Sequence, residues 1–243
     1  MLSKQEESRY QRQLILPDFG ESAQLKLKNS TVFVAGAGGL GGPVCFYLAA
    51  AGIGKLIICD RDTVDLSNLN RQILHGTAEI DVPKADSANK TLSNLNTEIV
   101  IETHNTSIND DNIEQLASMA DIIVDCLDNI ATRNVLNRFS IKNKIPVMHA
   151  GIDGWNAQLT LLNPPLTACM SCLFDEAIDT DEPKPVLGAV AGAVGTLQAL
   201  ETIKYLTAKS SVENTLLFFD ALGLEYHKLP IEKNENCSAC SHL

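Results

Sequence analysis

A glycine-rich turn near the amino terminus carries residues suited to binding a phosphate group. Residues 31–35 (TVFVA) form a short apolar run that predicts a buried parallel strand. Gly36, Gly38 and Gly41 follow in Gly-x-Gly-x-x-Gly spacing, and an apolar helical run begins directly after them. A second apolar run ends at Asp60, whose carboxylate can accept hydrogen bonds from ribose hydroxyls. We predict a nucleotide-binding βαβ unit; the alternative is a tight turn without a ligand.

Three basic residues have the charge needed to neutralise a triphosphate. Arg71 and Lys84 follow Asp60 closely in the sequence, and Arg12 lies in the amino-terminal segment. Backbone amides and a helix end normally hold the pyrophosphate of a dinucleotide, whereas a triphosphate under attack needs discrete cations. Taken singly, each residue fits a solvated surface charge at least as well. Together they favour ATP chemistry over the dehydrogenase chemistry that the glycine motif alone suggests.

A carboxylate follows a later apolar run, in the sequence DCLDN at residues 125–129. If residues 121–126 form a strand of the same parallel sheet, Asp128 emerges at the same edge as the glycine turn. A carboxylate facing phosphates is a suitable ligand for Mg²⁺. The alternative is that Asp128 caps the amino terminus of the helix that follows.

The seven cysteines fall into two groups. Cys45, Cys59 and Cys126 lie in apolar runs and are predicted to be buried small hydrophobic residues. The other four form two Cys-x-x-Cys pairs, Cys169 with Cys172 and Cys237 with Cys240. Two such pairs predict a tetrahedral structural zinc site joining distant segments, with a redox dithiol as the alternative.

Composition narrows the class of protein. The chain has 243 residues, of which 45% are hydrophobic, and a net charge of −11. Such a charge argues against broad nucleic-acid binding, which needs a positive surface. The longest weakly polar stretch, residues 186–200, is too short and too interrupted to span a membrane. The charged amino-terminal segment lacks the apolar core of a signal peptide, so we expect a cytoplasmic protein.

The order of apolar runs and helical segments predicts an α/β fold with a Rossmann-like, mostly parallel sheet flanked by helices. We expect antiparallel strands to extend this sheet and a four-cysteine zinc site to complete it. The prediction is one domain over residues 1–243. It comprises amino-terminal helices (1–30), a nucleotide-binding core (31–150) and an antiparallel extension with the zinc site (151–243).

Several local expectations accompany this architecture. Residues 98–102 are predicted to form a strand, and residues 174–185 an acidic surface loop. His75 and His104 are expected at the surface. Gly192 and Gly195 would allow a long helix to pack closely against a neighbour. Trp155 is either a core residue or a contact for an extended carboxyl-terminal tail.

The combined motifs resemble the ThiF/MoeB/HesA family, the prokaryotic relatives of the ubiquitin-activating enzymes. The resemblance covers essentially the whole chain. The motifs that carry it are RYQRQ (9–13), GAGGLG (36–41), DRD (60–62), SNLNRQ (67–72), PK (83–84), DCLDN (125–129), the two Cys-x-x-Cys pairs and GTLQALETIK (195–204).

This resemblance implies that Mg-ATP adenylates a carboxyl-terminal carboxylate of a small ubiquitin-like sulfur-carrier protein, with release of pyrophosphate. By resemblance, Asp128 holds Mg²⁺, and Arg12 reaches the ATP site of the other subunit of a homodimer. The implied catalytic residues are Arg12, Arg71, Lys84 and Asp128. The implied nucleotide-binding residues are Gly36, Gly38, Gly39, Gly41, Asp60, Asp62, Ser67, Asn68, Arg71, Lys84, Asp128 and Asn129.

One departure from the family affects the later chemistry. Many relatives carry a cysteine on the loop after the first Cys-x-x-Cys pair, but this chain has none between Cys172 and Cys237. A separate protein would therefore have to supply the thiol for any sulfur transfer. Three alternatives stay open: adenylation of a peptide or small-molecule carboxylate, an NAD(P)-dependent oxidoreductase with structural zinc, and a non-catalytic nucleotide-binding scaffold.

Overall fold

The computed structural model describes residues 1–174, 179 and 185–242. Helices in this part of the chain are α1 Lys4–Arg9, α2 Gln11–Leu14, α3 Gly20–Lys28, α4 Gly41–Ala51, α5 Lys84–Leu95, α6 Ile113–Ala117, α7 Ile130–Asn143, α8 Met170–Phe174 and α9 Gly188–Leu206. Strands are β1 Thr31–Ala35, β2 Lys55–Cys59, β3 Val100–His104, β4 Ile122–Asp125, β5 Val147–Asp153, β6 Asn156–Leu162, β7 Thr215–Asp220 and β8 Glu225–Pro230. Two short 3-10 helices cover Leu66–Asn68 and Thr77–Glu79.

All eight strands form one sheet in the order β3-β2-β1-β4-β5-β6-β7-β8. Pairing is parallel from β3 to β5 and antiparallel from β5 to β8, as the sequence predicts. In the register, Ala35 lies opposite both Cys59 and Asp125. The carboxyl ends of β1, β2 and β4 are therefore level, and the chain leaves them at one edge of the sheet.

Hydrophobic clusters cover both faces of the sheet. Val32 and Val34 of β1 join a cluster with α4, α5 and α9, whereas Phe33 and Ala35 join one with α6 and α7. This alternation buries a parallel strand on both faces. Of the described helices, none is long and apolar enough to cross a membrane.

Helix α9 crosses α4 closely at one of the two glycines predicted for this purpose. A Cβ atom on Gly195 would lie 2.6 Å from the Leu40 carbonyl oxygen, so only glycine fits there. The prediction is wrong for Gly192, because a Cβ there would meet nothing within 4 Å. Which glycines of a helix face its neighbour depends on tertiary packing.

Other sequence expectations also need correction. The third strand covers Val100–His104 rather than residues 98–102. His75 is buried rather than exposed, and its Nδ1 and Nε2 atoms lie 2.8 Å from Ser87 Oγ and 3.0 Å from the Ala37 carbonyl oxygen. Trp155 is 48% exposed, so it is not a core residue. Most of the predicted acidic loop, residues 174–185, lies outside the described residues.

Candidate active site

The glycine turn lies where the strand order of the sheet changes direction. Strand β1 has β2 on one side and β4 on the other, and ligands of such sheets bind at the carboxyl edge of this point. Gly36 has a positive φ of 97°, and a Cβ on it would lie 2.9 Å from the Cys126 carbonyl oxygen. Asp60 Oδ2 accepts a hydrogen bond of 2.7 Å from the Ala37 amide, which fixes the turn.

The start of α4 presents unsatisfied donors at this turn. Among the described residues, the backbone amides of Gly38, Gly39 and Leu40 find no acceptor. Helix amino termini with free N–H groups favour bound anions such as phosphates. The carboxamide of Gln72 borders the same turn: its buried Oε1 has no hydrogen-bond partner in the described chain, and its Nε2 is 3.6 Å from the Cβ position of Gly38. The donors and this orphaned acceptor fit a polar ligand such as a nucleotide.

Two of the predicted cations lie beside the turn. Lys84 begins α5, its side chain is only 6% exposed, and its Nζ lies 3.1 Å from Asp62 Oδ2. The Cγ atom of Arg71 lies 3.6 Å from the Cβ position of Gly39, and one Arg71 Nη donates to the Ser67 carbonyl oxygen at 3.0 Å. The Arg71 side chain therefore packs against the turn, and Lys84 is linked to it through Asp62, whose amide donates to Asp60 Oδ1 at 2.9 Å.

Asp128 lies on the turn between β4 and α7, at the same edge. Its side chain is exposed. The alternative interpretation as a helix cap is wrong, because the N-cap of α7 is Asn129, whose Oδ1 accepts from the Thr132 amide at 2.9 Å. The carboxylate of Asp179 accepts from the amides of Ile130 and Ala131 at 2.6 and 3.0 Å. Sequence reasoning missed this second carboxylate near Asp128.

Sequence reasoning also missed a buried polar network beneath the turn that carries Asp128. Asp125, the last residue of β4, is fully buried and contacts Arg133 and His149. Burial alone would raise the pKa of Asp125, but the Arg133 guanidinium and the hydrogen bond from His149 lower it below its ordinary value. Burial lowers the pKa of His149, against the opposing effect of Asp125. A sequence signal existed, because Asp125 is the first residue of the DCLDN motif and Arg133 follows the last residue of that motif by four positions.

The structure does not bring Arg12 into this site. Arg12 is exposed in α2, and the neighbouring Gln13 donates to the carbonyl oxygen of Ala51 at the carboxyl end of α4. The glycine turn lies at the other end of that helix, about 16 Å away at 1.5 Å per residue. Arg12 therefore lies far from the nucleotide site of its own chain.

The four predicted zinc ligands come together between α8 and the carboxyl-terminal segment. Their Sγ atoms all lie within 4.8 Å of one another. Measured Sγ–Sγ distances are 3.8 Å for Cys169–Cys172, 3.7 Å for Cys169–Cys237 and 3.5 Å for Cys172–Cys240. Tetrahedral zinc with Zn–S bonds of 2.3 Å requires about 3.8 Å between sulfurs, so this donor set fits the ion. Burial raises the pKa of the Cys169 thiol to about 11 without a metal.

Known proteins are similar to this chain in sequence and in fold. The chain is 42% identical over 241 residues to adenylyltransferase and sulfurtransferase MOCS3 of Xenopus laevis, covering 96% of this chain. It spans about half of that longer protein, 53% of its length. It is 38% identical over 243 residues to the heterocyst protein HesA of Trichormus variabilis, covering 99% of this chain and 91% of HesA.

A solved structure of E. coli MccB with ATP superposes with a TM-score of 0.82 at 26% identity, covering 90% of this chain and 68% of MccB. The described part of the chain thus has the same fold as MccB. The model of the ThiF family matches residues 10–239, nearly the full length. On this match and the relatives above, the chain belongs to the ThiF family.

Proposed function

We propose that this chain is an ATP-dependent adenylyltransferase. Its substrate is the carboxyl-terminal carboxylate of a small ubiquitin-like sulfur-carrier protein, and its product is an acyl-adenylate. The observation that carries the proposal is the convergence of the free glycine-turn amides, Arg71, Lys84 and Asp128 at one edge of the sheet. The MOCS3 relative bears the name adenylyltransferase, which supports the same activity.

The chemistry suits a site without a general base. A carboxylate oxygen attacks the α-phosphorus of ATP, the bond between this phosphorus and the bridging oxygen breaks, and pyrophosphate leaves. The nucleophile carries no proton, so orientation and charge neutralisation remain the main requirements. Asp60 would hold the ribose, while Asn68, Arg71 and Lys84 would contact the phosphates. Asp128 would bind Mg²⁺, which supplies positive charge to the triphosphate.

Arg12 would complete the site of a partner subunit in a homodimer. Its exposure and its distance from the glycine turn of its own chain support this role. Mixing inactive Arg12→Ala and inactive Lys84→Gln proteins tests it, because mixed dimers would carry one intact site. Activity restored on mixing supports a contribution in trans, and no restoration despite subunit exchange contradicts it.

The acceptor would bind along the antiparallel extension. Trp155 lies between β5 and β6, and its carbonyl oxygen accepts from the Ala221 amide at 2.9 Å, next to the β7–β8 turn. Leu222 and Leu224 on that turn are also exposed. Since β5 is parallel to β4, both turns lie at the carboxyl edge, like the nucleotide site. We propose this apolar surface as the contact for the carrier tail, with a separate protein donating sulfur.

Zinc would hold the four cysteines as a structural ion. Four thiolates leave no open coordination position for catalysis. Metal analysis should find one zinc per chain, and a chelator should lower the unfolding temperature. Full stability and fold in metal-free protein would contradict this role.

ATP–pyrophosphate exchange with purified protein and Mg²⁺ tests the activity. Exchange that requires a carrier ending in Gly-Gly and disappears in Arg71→Ala supports the proposal. Arg138→Ala, at an exposed residue of α7, is the matched control. Exchange with a peptide or small acid alone would support adenylation but show that the substrate is not a carrier protein. No exchange with any acid would refute the adenylation.

A further inference from the structure

A buried ion pair supports the turn that carries Asp128. Arg133 Nε lies 3.1 Å from Asp125 Oδ2, and the side chains are 11% and 0% exposed. Buried ion pairs are often no more stabilising than apolar side chains of similar volume, because both charges lose hydration. Stability alone is therefore a weak explanation for this pair. The other bonds of the guanidinium indicate what it does.

The guanidinium of Arg133 fixes the peptide group that precedes Asp128. Its Nη2 donates to the Leu127 carbonyl oxygen at 2.6 Å, and Asp125 Oδ1 accepts from the Leu127 amide at 3.0 Å. The Leu127 carbonyl belongs to the planar group that ends at the Asp128 Cα atom. On the other side, Asn129 is held as the cap of α7. Asp128 therefore lies between two held backbone groups.

The same guanidinium reaches the strand that leads to the acceptor surface. Arg133 Nη2 also donates to the Ala150 carbonyl oxygen of β5 at 2.9 Å. Beside it, His149 Nδ1 lies 2.7 Å from Asp125 Oδ2, and its Nε2 faces Gln158 Nε2 of β6 at 3.4 Å. With Nδ1–H donating to the carboxylate, Nε2 is left as the acceptor for Gln158.

We propose that Arg133 is a positioning residue that holds the Asp128 carboxylate in place for the metal-bound nucleotide. The proposal rests on the proposed function to the extent that Asp128 is taken as the Mg²⁺ ligand. Arginine is suited to this role because one planar fork bonds a carboxylate and two carbonyls at once. A lysine keeps the charge but cannot reproduce that geometry.

A double-mutant cycle tests whether Arg133 acts through Asp128. Mg²⁺-dependent binding of a non-hydrolysable ATP analogue is measured for Arg133→Lys, Asp128→Asn and the double variant. We expect Arg133→Lys to weaken this binding about tenfold, and to have no further effect in the Asp128→Asn background. Equal losses in both backgrounds would mean a general structural role and overturn the proposal.

Two control variants separate positioning from folding. Arg138→Lys changes an arginine of the same helix that forms an exposed bidentate pair with Asp110, and it should leave binding unchanged. His149→Gln removes another partner of Asp125 but leaves both carbonyl contacts of Arg133, so its effect should stay within about twofold. A loss in His149→Gln equal to that in Arg133→Lys would overturn the assignment to Arg133.

Amide hydrogen exchange on the wild-type protein gives a readout that needs neither activity nor a variant that folds. The Leu127 amide should already exchange slowly without nucleotide, because its hydrogen bond to the buried Asp125 carboxylate is formed in advance. Fast exchange that slows only when Mg²⁺ and nucleotide are added would overturn the proposal. Absence of pyrophosphate exchange in the wild type would refute the adenylation, whereas this measurement would still show whether the turn before Asp128 is held without nucleotide, as the role of Arg133 requires.

Discussion

The parallel and antiparallel halves of the sheet differ in what they expose. Strands β1, β2 and β4 are almost entirely buried, and helices cover both of their faces. In the antiparallel half, all six residues of β8 are exposed, as is the adjacent turn with Leu222 and Leu224. The first half presents backbone donors and a few charges at one edge, whereas the second presents side chains.

This difference suggests a division of labour between catalysis and acceptor choice. Backbone groups held by packed strands can be placed accurately for a ligand that never varies, such as a triphosphate. Exposed side chains can be exchanged with little cost to the fold, so they suit recognition of a variable partner. Substitutions in the two halves should therefore have distinguishable effects on kinetics.

Lys84→Gln in the parallel half should cause the largest loss. If Lys84 contacts the triphosphate as proposed, removing its buried charge should lower kcat/KM by about 10²–10³-fold for every acceptor, because a cation at this position would stabilise the developing charge. The measurement is pyrophosphate exchange with at least two acceptors. A loss of activity with only one acceptor would contradict the proposed division between catalysis in the parallel half and acceptor recognition in the antiparallel half.

The matched control for this variant lies on the same helix. Lys90 of α5 is exposed and paired with Glu79 at 3.1 Å. Lys90→Gln removes the same charge and should change the rate by less than about twofold, because exposed ion pairs contribute little. A comparable loss in both variants would indicate a general charge effect.

Gly195→Ala should have the next largest effect, a loss of unfolding free energy, because α9 packs against both halves of the sheet. The added methyl group would overlap the Leu40 carbonyl oxygen, and such overpacking costs about 1–3 kcal/mol of unfolding free energy. Gly192→Ala has open space and should gain up to about 1 kcal/mol from helix propensity. Urea denaturation of both variants measures the contrast, and equal changes would contradict the close crossing.

Trp155→Ala in the antiparallel half should change the kinetics for the acceptor but not those for ATP. Loss of an exposed aromatic contact would lower kcat/KM for the carrier about tenfold, within the range for interface aromatics. The KM for ATP should not change, since Trp155 lies outside the nucleotide turn. Tyr47→Ala, at a similarly exposed aromatic residue on α4, is the control. An altered KM for ATP would show that the two halves are not separable.

The same contrast explains how far the sequence could predict the molecule. Regular patterns located β1, the glycine turn, both cysteine pairs and the parallel-to-antiparallel change, because strand periodicity and ligand spacing are local properties. The buried ion pair between Asp125 and Arg133 was not predicted, because an acidic and a basic residue eight positions apart are usually surface charges. Only the packing of β4 against α7 shows that both side chains are buried. Similarly, spacing alone could not tell Gly195 from Gly192.

His75 gives the smallest predicted effect and tests a residue for which the sequence expectation was wrong. Burial lowers the pKa of His75 below its ordinary value, and the nearby Lys84 ammonium adds to this, while the Ala37 carbonyl opposes it. The folded state thus prefers the neutral imidazole, whereas the unfolded chain takes up a proton near the ordinary pKa of about 6.5. The unfolding free energy should therefore fall as the pH drops below about 6.5. In denaturation between pH 5 and 8, His75→Gln should flatten this fall relative to the wild type. Equal slopes in the two proteins would mean that burial does not lower the pKa of His75.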